Sequence, residues 1–211
     1  EGQTVPKITL YQFARDYYDD GIDPVAPVIK DVGDHIKIDG IGLFRDDRYI
    51  TKIEPEDALI FAFLRGRFKK GELSVNLGRE ARSDKQIAML SGLMSTRKVK
   101  VKRDPNGQTK VTFVIRIQGS VLEYIGPYNL SDHSEKKKLE HQIAAYISDK
   151  SEEMVALMQK HKVDSLGIGT HVRNRMSYKE WKSMSWNDEQ YPNVRVQFDI
   201  SVKIKDYGKF R

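Results

Sequence analysis

From Val194 to Lys205 apolar and polar residues alternate without a break. Val194, Val196, Phe198, Ile200, Val202 and Ile204 take one parity, and Arg195, Gln197, Asp199, Ser201, Lys203 and Lys205 the other. A period of two puts successive side chains on opposite faces, so this tail predicts one long, half-buried strand spanning roughly 35–40 Å. The stretch GDHIKIDGIGLFRDDRYITKI, from Gly33 to Ile53, begins alike at Ile36 and Ile38, but past Gly40 the apolar positions are Ile41 and Leu43. The parity has slipped by one. A bulge at Gly40 accounts for the slip, because one extra residue moves every later side chain to the other face. The acids of FRDDRYI then turn the chain into a second strand, RYITKI. Reading GIG as a phosphate-cradling loop fares poorly: GxGxxG needs a third glycine where Arg45 stands, followed by a helix. LGIGT at 166–170 also lacks the third glycine.

Elsewhere the spacing is helical. Leu10, Phe13, Ala14 and Tyr17 share a face behind a Thr9 N-cap, with Gly21 past the end and Pro24 and Pro27 enforcing an extended exit. EPEDALIFAFLRGRF predicts a helix ending near Gly66, with Leu59, Ile60, Phe63 and Leu64 buried. GELSVNL is a short strand, and RKVKVKRDPNGQTKVTFVIRIQGSVLEYI predicts strands around a turn at Asp104, Pro105, Asn106 and Gly107. From Ser131 to about Lys162 runs a long helix with Leu139, Ile143, Tyr146, Ile147, Met154, Leu157 and Met158 on one face. Lys150 interrupts that stripe, which favours packing on a sheet over a coiled coil. Short helices follow at Leu166–Met176 and SYKEWKSM, with Trp181 and Trp186 read as core anchors. The expected fold is α+β, a large curved, mainly antiparallel β-sheet packed by a long α-helix and several shorter helices. Residues 1–34 are expected to be a linker or the end of a preceding domain, and 35–211 the α+β domain.

The 211 residues contain no cysteine, which excludes disulfides, thiol catalysis and cysteine-ligated metals. The mean hydropathy of −0.58 and the lack of a long apolar run exclude a membrane helix from this span. The chain starts at Glu1 with no signal pattern and reads as a piece of a longer protein. His35, His133, His141, His161 and His171 show no ligand spacing, and the carboxylates Asp16, Asp19, Asp20, Asp46, Asp47, Glu152 and Glu153 are expected in turns and on wet helix faces. No catalytic, metal or cofactor-binding residue emerges.

Charge is the remaining lead. Up to Gly92 there are 14 Lys/Arg against 16 Asp/Glu, a balance of −2, leaving 22 against 14, or +8, for the rest. Its focus is RKVKVKR, Arg97 to Arg103. On a strand Lys98, Lys100 and Lys102 share one face about 7 Å apart, while Val99 and Val101 face a core. With Arg103 they form the candidate interaction surface. Such a line suits nucleic-acid phosphates or anionic headgroups, or blunts a sheet edge. Single-strand binders interleave aromatics with the basic residues, and this strand has none.

In order and spacing LYQFARDYYDDGIDPVAPVI, GDHIKIDGIGLFRDDRYITKI, DSLGIGTHVRNR, a Trp-containing segment and YPNVRVQFDISVKI resemble the Ger(x)C family, the C subunits of spore nutrient-germinant receptors. The resemblance runs from about Leu10 to Gly208. It implies a non-enzymatic α+β lipoprotein subunit on the outer leaflet of the spore inner membrane. A lipid-bearing cysteine would lie upstream and hold the protein to an anionic membrane surface, beside a membrane A subunit and a transporter-like B subunit. No catalytic residues carry over, no cofactor is expected, and nucleic acid is the alternative partner rather than the expected one.

Overall fold

A computed structural model of the chain describes residues 8–66, 68–69, 71–78, 86–104 and 108–207. The predicted turn at Pro105, Asn106 and Gly107 lies outside them. The strands expected to share one sheet divide between two. In the smaller, β1 (Val25–Asp31), β2 (Ile36–Arg45) and β3 (Arg48–Ile53) pair antiparallel in that order. The slip at Gly40 is a bulge: Pro27 pairs with Ile41 but Ile29 with Ile38, so β2 carries an extra residue between the two pairs. Gly40 sits at φ +114, and a Cβ there would lie 2.2 Å from the Ile53 carbonyl oxygen, so only glycine fits. By this register Ile36 and Ile38 return to the face of Ile41 and Leu43. They do not reach the core. Ile41 and Leu43 are fully buried, whereas Ile36 is 69% and Ile38 43% exposed, because β3 ends opposite Ile41 and the ribbon runs on with two strands only.

The larger sheet is built on β6 (Ile87–Arg103) and β7 (Thr109–Ile125), an antiparallel hairpin whose strands alternate buried and exposed residues along most of their length. β4 (Phe68–Lys69) and β5 (Leu73–Asn76) both pair with the outer side of β6. β8 (Arg195–Asp206) pairs with β7, in parallel. The parallel partner in an otherwise antiparallel sheet follows from the connection. The chain leaves β7, runs through α3 (His133–Lys160), and returns to the end from which β7 started.

α3 packs against β8, with Leu139, Ile143, Ile147, Met154, Val155 and Met158 inward. Where Lys150 breaks the stripe, the helix instead buries Ser151, whose hydroxyl donates to the Ile147 carbonyl at 2.6 Å. Lys150 pairs with Glu153 at the surface. α2 (Ala58–Arg65) is buried all round from Ala58 to Leu64 rather than on one side, because it lies between α3 and the large sheet. α4 (Ile168–Arg173) and α5 (Tyr178–Lys182) complete the helices, the latter under a Ser177–Glu180 capping box. Trp181 and Trp186 are core anchors, 4% and 6% exposed, in a ring series ending on Tyr191.

α1 (Leu10–Tyr17) starts at the predicted Thr9, with a full capping box to Gln12. Its buried face is not the predicted one. Leu10 is 85% exposed, while Asp16 is buried between the guanidinium groups of Arg15 and Arg65. In so short a helix that tertiary ion pair outweighs the apolar spacing, while Phe13, half-buried, meets Phe44 edge-on.

Candidate interaction surface

Because β6 alternates regularly from Leu93 to Lys102, Lys98, Lys100 and Lys102 point outward together, and Val99 and Val101 pack against the core. Arg103, next in line, alternates to the opposite side at the exposed strand end, near Glu180, whose carboxyl is held below its ordinary range by the Ser177 N–H and hydroxyl and, to a lesser extent, by the Arg103 charge. Arg97 faces inward, donating to the Leu64 carbonyl at the end of α2 at 2.6 Å and lying over the Phe113 ring; burial pushes it down to about 10. So the basic run splits: three lysines form a surface and one arginine serves the core.

Register then enlarges that surface. Opposite Lys98 stands Val114 and beyond it Asp199; opposite Lys100, Thr112 and then Gln197; opposite Lys102, Lys110 and then Arg195. Further along, Thr96, Arg116 and Ser201 form a row, as do Met94, Gln118 and Lys203, with Lys205 beyond. Across three strands the outward face therefore gathers Lys98, Lys100, Lys102, Lys110, Arg116, Arg195, Lys203 and Lys205. Against them, among the described residues, stand two carboxylates: Asp199, already held by Arg116 at 2.9 Å, and Asp206, beside Lys205 at the end of β8 and opposite Ser120. Lys102, Lys110 and Arg195 lie side by side, an arrangement that destabilises a sheet. A shallow depression of about 350 Å³ opens between Arg116 and Lys203.

The second GIG, Gly167 to Gly169, proves to be a crossing of two chain segments. Asp164 accepts from the backbone N–H groups of Ile168 at 2.9 Å and Gly169 at 2.6 Å, and from Trp186 Nε1 at 3.0 Å. Asp23 accepts from the backbone of Asp164 and from Asn187. A Cβ on Gly169 would lie 2.6 Å from Trp186 Nε1 and 2.8 Å from the Gly21 carbonyl oxygen. Thr170 N donates to that oxygen at 2.9 Å. Burial raises both carboxyls, Asp23 to about 6 and Asp164 to about 7, against the pull of their N–H donors. Sealed among backbone donors and tryptophan, the pair pins residues 19–23 to α4. Arg173 to Asp19, 2.9 Å, reinforces the latch.

A third feature is apolar. Leu10, Tyr11 and Tyr18 on or beside α1, and Ile29, Val32, Ile36 and Ile38 on the β1–β2 ribbon, are all exposed. No helix among the described residues is long and apolar enough to cross a membrane.

The comparisons with known proteins agree with one another. Residues 39–208 match the family model described as spore germination B3/GerAC-like, C-terminal. The chain is 27% identical to the spore germination protein GerQC of Bacillus cereus, covering 97% of this chain and 55% of that protein. It is 24% identical to YfkR of Bacillus subtilis (strain 168), with 95% and 53% covered. It thus spans about half the length of these curated relatives. The crystal structure of the GerBC protein superposes with a TM-score of 0.77 at 17% identity, over 95% of this chain and 63% of that one, and shows the same fold.

Proposed function

Because this chain belongs to the spore germination B3/GerAC-like C-terminal family, we propose that it serves nutrient-triggered germination as part of the C subunit of a germinant receptor. It acts by contact, not catalysis, beside the A and B subunits at the spore inner membrane. The family match over residues 39–208 carries this reading. The surface chemistry supports it. The conspicuous carboxylate pair, Asp23 and Asp164, is 7% and 0% exposed and committed to backbone donors, leaving it no access to a substrate. Among the described residues, the molecule offers to the outside a strongly basic sheet face and exposed apolar residues on the β1–β2 ribbon. Interface cores between proteins are apolar and aromatic, so the exposed ribbon segment carrying Ile29, Ile36 and Ile38 fits a protein partner.

The test is a spore strain lacking this span, with the other subunits monitored by immunoblot. Loss of the response to at least one nutrient, with germination by non-nutrient triggers preserved, is the expected result. Unchanged germination with every nutrient, at unchanged subunit levels, overturns the proposal.

A further inference from the structure

We infer that the outward face of β6, β7 and β8 docks flat on an anionic phospholipid surface, an inference resting on the membrane-side reading above. Its cations come from three strands and have two carboxylates among them, Asp199 and Asp206, and Lys102, Lys110 and Arg195 stand in a single row of like charge. Such a row is costly in water alone and is relieved by a layer of anions laid against it. The geometry suits a sheet of headgroups better than a discrete partner. The pleat spreads the cations at about 7 Å along each strand and about 5 Å between strands, a broad field rather than a point site. The depression between Arg116 and Lys203 lies within that field.

Two other occupants fit less well. A protein interface has an apolar centre and few lysines, whereas this face has Val114 and Met94 among lysines, threonines and glutamines. Single-stranded nucleic acid needs ring platforms, and the outward positions of these three strands hold no aromatic residue.

The experiment is co-sedimentation of the 211-residue chain with vesicles of phosphatidylcholine alone or mixed with phosphatidylglycerol. Binding is expected only with the anionic lipid at about 0.1 M salt, and release at about 1 M, where screening shortens to about 3 Å. Each of Lys98→Gln, Lys100→Gln and Lys203→Gln should lower partitioning about fivefold, and the three together about a hundredfold. Lys137→Gln, Lys138→Gln and Lys179→Gln combined remove equal charge from elsewhere on the surface and should leave binding nearly unchanged. All these positions are exposed, and a circular dichroism melt checks that each variant folds. Failure to bind the anionic vesicles, equal loss in the two triple variants, or tighter binding to a single-stranded oligonucleotide at the same salt overturns the inference. Any of these outcomes leaves the germination result untouched, so the two proposals fail separately.

Discussion

Gly169 has no room for a methyl group, since Trp186 Nε1 and the Gly21 carbonyl already stand within 2.8 Å of where it would go. Gly169→Ala should therefore lower stability by about 1–3 kcal/mol, seen as a shifted urea midpoint. Gly66→Ala is the contrast: a Cβ there meets nothing within 4 Å and the backbone is extended, so the midpoint should hold. The neighbouring carboxyls give a pH signature. Asp23 and Asp164 titrate in the folded chain at about 6 and about 7 rather than the ordinary 3.8, so the folded state keeps protons that the unfolded state has released. Their contribution to stability is fully present below about pH 4 and is lost as pH rises through 6 and 7. Urea midpoints measured between pH 4 and pH 8 should fall across this window in the wild type and fall less in Asp23→Asn. Equal slopes in the two would contradict the assignment.

Among elements, the β1–β2 ribbon and the basic face each break a packing rule in a measurable way. Ile36→Thr and Ile38→Thr should change stability by less than about 0.5 kcal/mol, whereas Ile41→Ala, on the same strand but 0% exposed, should lose about 2–5 kcal/mol. Lys110→Glu places a carboxylate between Lys102 and Arg195 and should stabilise the sheet by about 0.2–1 kcal/mol while weakening vesicle binding. A melt and a sedimentation assay on one preparation read both effects. These elements also show what a sequence can disclose. The bulge at Gly40, the alternation of β8 and the three lysines of β6 were legible because each is a pattern within one strand. Lys110, Arg116, Arg195, Lys203 and Lys205 were not, because they join the lysines only through register and a parallel pairing made across α3. The helix spacing of α1 misled for a related reason: Arg65, 49 residues on, decides which side is buried.

At the scale of the whole molecule, the basic sheet face and the exposed apolar residues of the β1–β2 ribbon differ in kind. The order in which the fold is completed follows from β8. β7 is a central strand of the large sheet, yet its partner along Lys110 to Ser120 comes after the 28 residues of α3 and both short helices. On the ribosome, β6, β7 and α3 emerge while that edge is still bare, with Ile204, whose N–H later binds Glu140, not yet made. The nascent sheet is therefore a template with a vacant lane, open to the late strand of a neighbouring copy until its own arrives. Crowded polysomes should favour strand-exchanged dimers, and slowing elongation ahead of residue 195 should make them more abundant.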